Sequence, residues 1–371
     1  MTLKIDTLEI INVDVTSEKY GHYPEKRPID VLLDNGIILL DKPSGPTSHE
    51  VVAWTKRILG IPKAGHSGTL DPGTTGLLPI GLGDATKALS ILLLGPKEYY
   101  AIARIHNQSN VAEIDRVLDK FKGEIYQRPP QRSSVKRSTR IRKIYELERM
   151  ESADNILLLR VLCEAGTYIR KLVYDVGEVL GTGATMFELR RTRVSLFSES
   201  SDKLIRLHDL VDAFETYKET KGEEKIRSII KPIEIALDGI ATVAVKDSAV
   251  DALCHGAQVA IPGIVAFDKG VKKGTLVGIY TLKGEIIALG DANMDAEEIL
   301  QNDKGIAFTI KRLIMKPNIY PRAWKTSKSL REMEDRPWRP AGSKACTGLV
   351  SGLNTGIRRK RGCAEPTRPF H

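Results

Sequence analysis

The stretch that most restricts the fold is Gly65-His66-Ser67-Gly68-Thr69-Leu70-Asp71-Pro72, with Gly73-Thr74-Thr75-Gly76 behind it. Four glycines, one proline and four small hydroxyl residues in twelve positions suit neither an amphipathic helix nor an alternating strand. A shaped loop is predicted. Ile58 and Leu59 precede it and Leu77-Leu78-Pro79-Ile80 follow, so buried structure should anchor it at both ends. Asp71 is the only acid in the window, and Pro72, which lacks an N–H, restricts it to extended backbone. On residue types alone, a plain Asp-Pro turn and a working carboxylate are equally open.

Around this loop the pattern alternates between helix and strand. Ile37-Ile38-Leu39-Leu40, after the Asn35-Gly36 turn signal, suits a buried strand, which Lys42-Pro43-Ser44-Gly45-Pro46 breaks. Thr47-Ser48-His49-Glu50 has the form of a capping box and predicts a helix over 48–59, stopped by Gly60. Residues 85–94 read as a helix and 99–106, rich in β-formers, as a strand. Val111, Ile114, Leu118 and Phe121 are spaced for a helix; 156–162 suits a strand. Gly166-Thr167-Tyr168-Ile169-Arg170 leads into a helix with Leu172, Val176, Val179 and Leu180 on one face, stopped at Gly181-Thr182-Gly183. The charged segment 218–225 predicts a domain junction near 220–235. Beyond it, 241–245, 258–261, 276–281, 285–289 and 306–314 are short strand-like runs between Pro-Gly and Lys-Gly turns, as in a small β-rich domain.

Charge and cysteine usage narrow the chemistry. The net charge is +9, but 322–371 alone holds twelve Lys and Arg against four acids, so the body is nearly neutral. Within that body, 128–143 carries seven basic residues and no acid, and Arg190-Arg191-Thr192-Arg193 forms a second knot. Such a run favours a polyanionic partner over a merely solvated face. The four cysteines are scattered without C-x-x-C spacing, which indicates neither a disulfide framework nor a zinc site. No phosphate-binding glycine motif stands at a strand-to-helix junction, and Asp71 has no neighbouring carboxylate for glycosidase-type acid and base work. No apolar run approaches a membrane span, and acids stand where a signal peptide would have an apolar core, so a cytoplasmic protein is expected.

Four motifs in order carry a family resemblance. Leu40-Asp41-Lys42-Pro43-Ser44-Gly45-Pro46-Thr47-Ser48, the 65–72 loop, Gly166-Thr167-Tyr168-Ile169-Arg170 and Glu188-Leu189-Arg190-Arg191-Thr192-Arg193 resemble those of the uridine-55-type pseudouridine synthases. Over 20–324 the chain is similar to their archaeal dyskerin-like branch, the catalytic subunit of H/ACA guide-RNA particles. The resemblance implies an α+β fold: a synthase core with a mixed, largely antiparallel sheet flanked by helices, plus a small β-barrel-like PUA domain. It implies an N-terminal arm at 1–30 packing on the PUA domain, a catalytic domain at 31–230, the PUA domain at 235–324 and a basic, disordered tail at 325–371.

The same resemblance implies that Asp71 is the catalytic aspartate, Arg170 its ion-pair partner and Tyr99 the ring that stacks on the target base. Tyr100 competes for that role, although the Lys97-Glu98-Tyr99 spacing favours Tyr99. Lys42, His66 and Leu189 would line or brace the substrate pocket. Arg132, Lys136, Arg137 and Arg140 of a mobile thumb loop, Arg190 and Arg191, and His255, Gly256, Pro262 and Gly263 of the PUA domain would bind RNA. Gly73-Thr74 departs from the bulkier, charged residues expected after the Asp-Pro. Isomerising uridine involves no net redox change, and the resemblance implies no cofactor and no metal. The implied partners are guide RNA, substrate rRNA and small accessory proteins, including a kink-turn-binding, ribosomal-protein-like subunit. A stand-alone tRNA pseudouridine-55 synthase and a non-catalytic RNA-binding scaffold are the alternatives.

Overall fold

The computed structural model of the chain describes residues 8–128 and 138–322. The strands in chain order are β1 (Leu8–Ile10), β2 (Gly36–Lys42), β3 (Ala64–His66), β4 (Thr75–Leu82), β5 (Lys97–Ile105), β6 (Gly123–Gln127), β7 (Arg140–Ala153), β8 (Ile156–Cys163) and β9 (Ala184–Val194). They continue with β10 (Phe197–Ser198), β11 (Lys231–Pro232), β12 (Ala241–Val245), β13 (Val259–Ala260), β14 (Ile264–Asp268), β15 (Leu276–Tyr280), β16 (Ile286–Ala292) and β17 (Ile306–Leu313). The helices are α1 (Ile29–Asn35), α2 (Ser48–Leu59), α3 (Leu89–Leu94), α4 (Val111–Lys120), α5 (Ile169–Leu180), α6 (Leu207–Thr220), α7 (Glu224–Ile229), α8 (Asp247–Cys254) and α9 (Ala296–Gln301). Among the described residues no helix is long and apolar enough to cross a membrane.

A ten-stranded sheet runs in the order β11-β2-β4-β9-β5-β8-β7-β6, with β3 added to β4 and β10 to β9. Among the described strand pairings of this sheet β4–β9 is parallel and the others are antiparallel, so the sheet is mixed and largely antiparallel. The apolar run in β2 is buried on both faces: Ile38 and Leu40 join the core beneath α2 and α6, while Ile37 and Leu39 join the opposite one. That is why the run is continuous rather than alternating. Farther along, Ala101, Ala103 and Ile105 of β5 pack against Ile169, Leu172, Val173 and Val176 of α5. Small side chains on the strand let the helix lie close.

Local signals hold where they are strong. Thr47 accepts from the Glu50 backbone N–H at 3.1 Å and the Glu50 carboxylate accepts from the Thr47 N–H at 2.7 Å, so α2 starts in a complete capping box. Gly60 ends it in the left-handed conformation. The helix expected over 85–94 is interrupted: a tight turn over Gly83–Lys87 precedes α3, whose last carbonyls are taken by the buried Lys97 ammonium.

The second sheet has seven strands in the order β1-β14-β12-β15-β16-β17-β13. Its β1 comes from the N-terminal arm and pairs with β14, with Leu8 opposite Asp268 and Ile10 opposite Ala266. The sequence did not announce β14, because Pro262-Gly263 immediately ahead reads as a turn. The region near 220–235 is packed chain rather than an exposed linker: Ile226, Ile230, Ile233, Ala236 and Leu237 are buried, and β11 pairs with β2. One core cluster joins Ile37, Leu77 and Val194 of the large sheet to Tyr280, Ile286, Leu289 and Ile314 beyond it.

Candidate active site

The 65–76 segment enters as β3 and leaves as β4, with the loop between. Its entry differs from the expected all-loop form: Ala64 to His66 pair with β4, Gly65 opposite Gly81 and His66 opposite Ile80. Backbone groups of the loop are then tied down individually. Ser48 Oγ accepts from the Leu70 N–H at 2.8 Å and donates to the Leu70 carbonyl at 3.1 Å, fixing the residue before Asp71 to the start of α2. Pro72 offers its carbonyl to the Gly45 N–H at 2.9 Å, and Asp71 its carbonyl to the Thr74 N–H at 3.0 Å. Lys42, fully buried, donates to the carbonyls of Pro43 at 2.8 Å, Pro72 at 3.0 Å and Thr74 at 2.9 Å. Burial lowers its pKa and the nearby Asp71 charge opposes the drop. Lys42 thus braces the loop from below, as a point charge satisfied by backbone dipoles.

Two glycines here do what no other residue could. At Gly76, φ is 102° and a Cβ would lie 2.2 Å from the Arg191 carbonyl oxygen, where β4 and β9 meet in parallel. At Gly68, φ is 115°, which turns its carbonyl inward to accept from Arg191 Nη2 at 3.1 Å.

The loop presents Asp71 outward, where Arg170 Nη2 donates to Asp71 Oδ2 at 2.9 Å across 99 residues of sequence. Both side chains are more than half exposed, at 65% for Arg170 and 56% for Asp71, so a bulky ligand can reach the pair. Arg170 stands on the first turn of α5, and Gln127 fixes the backbone just before it. Its amide Nε2 donates to the Tyr168 carbonyl at 3.1 Å and its Oε1 accepts from the Tyr168 N–H at 2.9 Å. Tyr99 lies on β5, half-buried, in register with Arg191 of β9. Burial raises the Tyr99 pKa, the Arg191 charge opposes that rise, and the Asp71 carboxylate adds to it. Tyr100, one residue on, projects from the other face of β5 by strand alternation, in register with Arg160 and Arg190. His66 packs edge-on to His49 with centroids 5.1 Å apart, and burial pushes its imidazole down to about 4. Leu189, half-buried on β9, borders the core beneath α5.

An exposed carboxylate is thus held by a guanidinium at the end of a tied-down loop, and comparison with known proteins gives the chain a family. Residues 56–169 match the TruB family pseudouridylate synthase N-terminal domain, 170–238 the tRNA pseudouridylate synthase B C-terminal domain, 241–314 the PUA domain and 2–52 the DKCLD domain. The probable tRNA pseudouridine synthase B of Methanopyrus kandleri is 51% identical over 309 residues, 83% of this chain and 91% of that one. The chain belongs to the TruB pseudouridine synthase family. Among solved structures, an H/ACA ribonucleoprotein bound to a substrate RNA containing 2'-deoxyuridine is similar to this synthase at 45% identity. Its TM-score is 0.77, over 85% of this chain and 98% of that one. A Cbf5-Nop10-Gar1 complex matches at 49% identity and a TM-score of 0.76, over 83% and 93%.

The synthase treats its other expected contacts unequally. Arg191, expected to face RNA, is 1% exposed, so that reading is corrected: it is an interior group. Arg190 faces the other way, held by Asp41 at 3.0 Å and by Glu199, so its charge is neutralised within the protein. Arg140 is half-buried at the start of β7. His255 and Gly256 form an exposed end of α8; His255 Nδ1 lies 2.8 Å from the Asp251 carbonyl, and its Nε2 lies 3.2 Å from Arg322. Pro262 is exposed and Gly263 half-buried in a short turn before β14. Arg132, Lys136 and Arg137 lie outside the described residues, as does the chain beyond 322. Among the described residues no group of three His, Cys, Asp or Glu is placed to hold a metal ion. Sequence reasoning missed Gln127 and the structural role of Arg191. A polar residue ending a strand beside a basic loop carried no signal that it would be buried.

Proposed function

We propose that the synthase converts selected uridines of RNA to pseudouridine with Asp71 as the reacting carboxylate, Arg170 as the group that keeps it ionised and placed, and Tyr99 as the surface that receives the extruded base. The 2.9 Å contact between Arg170 and Asp71 in a solvent-open loop carries this reading. A base in a helix cannot reach a loop carboxylate, so the nucleotide must leave its stack, and an aromatic face recovers about 1–3 kcal/mol of stacking. The N1–C1' bond then breaks, the base turns, C5 bonds to C1' and the C5 proton is lost while N1 gains one. Atoms and electrons balance with no cofactor. The carboxylate serves either by attacking C1' or by removing a sugar proton. His66 and Leu189 line the pocket, and Lys42 braces its loop from below.

Guide-directed action within an H/ACA particle is the preferred setting, supported by the likeness to H/ACA complexes that hold substrate RNA, Nop10 and Gar1. In that setting the seven-stranded region, with His255, Gly256, Pro262 and Gly263, holds guide RNA as a PUA domain at 235–324, on which the arm at 1–30 packs. Arg132, Lys136, Arg137 and Arg140, within the catalytic domain at 31–230, grip substrate phosphates, and the work is cytoplasmic. The likeness to the probable tRNA pseudouridine synthase B of Methanopyrus kandleri favours a second reading, direct action on tRNA. Mapping pseudouridines made by the purified chain on rRNA fragments and tRNA, with and without guide RNA and partners, separates the two. Asp71→Asn should abolish product while RNA binding persists; retained turnover in that variant would sink the assignment.

A further inference from the structure

Arg191 is an expensive residue for a core. It is 1% exposed, and among the described residues no carboxylate forms an ion pair with it. A buried guanidinium without a counter-charge costs several kcal/mol unless its donors are well used. They are used in a particular way. Nε donates to the Leu77 carbonyl at 2.9 Å, Nη2 donates to the Gly68 carbonyl at 3.1 Å, and the guanidinium lies beside Tyr99, its register partner on β5, closely enough for its charge to act on the phenol. Leu77 belongs to the strand that leaves the catalytic loop, Gly68 stands three residues before Asp71, and Tyr99 is the aromatic platform. Arg191's own backbone pairs with Gly76, on the far side of Asp71. The loop is therefore gripped on both sides of its carboxylate by one residue, which also faces the ring across the strand pair.

We propose that Arg191 is a positioning residue for pseudouridine formation, its rigid guanidinium fork keeping the Asp71 loop and the Tyr99 ring in one fixed relation so that both engage the same nucleotide. A guanidinium suits this and an ammonium does not: its donors lie in one plane at fixed angles and can hold several acceptors on different chain segments together. Lys42 and Lys97, also buried, each bind carbonyls of neighbouring turns and hold no aromatic ring. Beside Tyr99, the Arg191 cation opposes the rise in phenol pKa that burial imposes.

The inference rests on the roles proposed for Asp71 and Tyr99, and its test keeps the two apart. Arg191→Lys, Tyr99→Phe and the double variant are assayed for single-turnover pseudouridine formation, RNA affinity and thermal unfolding in the reconstituted system, with Asp71→Asn alongside. Arg191→Lys should fold, bind RNA within a few-fold of wild type, and lose about 10- to 100-fold in rate at saturating RNA, the cost of a small misplacement. In the Tyr99→Phe background the same change should cost several-fold less, because part of what Arg191 holds is already gone. A wild-type rate for Arg191→Lys, or effects that simply multiply, overturns the proposal while an inactive Asp71→Asn leaves the reaction assignment standing. An active Asp71→Asn overturns that assignment instead. If Arg191→Lys does not fold, Tyr99→Phe decides: the phenol oxygen must matter to rate with RNA affinity kept, and a wild-type rate there overturns the proposal.

Discussion

His66 enters the Asp71 loop with a ring that resists protonation. Burial first, then the charges of His49 and Arg191, push its imidazole from the ordinary 6.5 down to about 4. The consequence has a definite sign. Above pH 6.5 neither folded nor unfolded chain protonates this ring, and His66 gives no pH dependence. Between 6.5 and 4 the unfolded chain binds a proton that the folded one refuses, so stability falls as pH falls, and below about 4 the loss levels off. Comparing urea midpoints of wild type and His66→Gln from pH 7 to 4 should show the variant losing less stability over that window. Parallel curves would mean that the ring titrates normally. Residue-scale reasoning from sequence found Asp71 and Arg170 through motif order, but their contact is made by the fold and is invisible in spacing. It failed at Arg190-Arg191, a basic pair that looked like surface. On a strand, neighbours point to opposite faces, so one guanidinium meets Asp41 and Glu199 while the other goes inside.

Elements announced themselves when their ends were chemically marked. The capping box and Gly60 bracket α2, and Gly181 ends α5 in the left-handed conformation. By contrast, β9 carries four charged residues in eleven and no clean alternation, so its place at the centre of the large sheet could not be read locally. Short β6, at that sheet's edge, was hidden for the same reason, yet it ends in Gln127, whose amide closes two hydrogen bonds on the Tyr168 backbone at the start of α5. Gln127→Leu removes one hydrogen bond from the Tyr168 N–H and one from its carbonyl, which keeps the Leu172 N–H as a donor, so the loss is about 1–3 kcal/mol. The expected outcome is a lower unfolding midpoint and a fall in turnover at saturating RNA larger than the change in KM, since Arg170 follows two residues later. Steady-state kinetics with thermal unfolding checks it; unchanged turnover in the destabilised variant would separate the α5 start from catalysis.

At the scale of the molecule, the two sheets are joined by a buried charge. Arg27 of the arm donates to both oxygens of Glu234, at 2.8 and 2.6 Å, and the same carboxylate accepts from the Ile286 N–H at 3.0 Å. Side chains 5% and 1% exposed make this a pair whose desolvation roughly offsets its attraction, so its value is in fixing geometry rather than in net stability. It bonds three segments at one point: the arm, the chain leading away from the large sheet, and the first residue of β16 in the small one. Removing only Arg27 leaves the Glu234 carboxylate buried with half its partners. Arg27→Met should therefore destabilise the protein by about 3–5 kcal/mol. Arg27→Met with Glu234→Leu should recover part of that loss, with a residue from the unpaired Ile286 N–H. Because the pair lies where the sheets join, the single variant should also split one calorimetric transition into two, the seven-stranded region separating from the rest. A single transition at a slightly lower temperature, unaltered by the second substitution, would show that the shared core of Ile37, Leu77, Val194, Tyr280 and Ile314 alone holds the two sheets together.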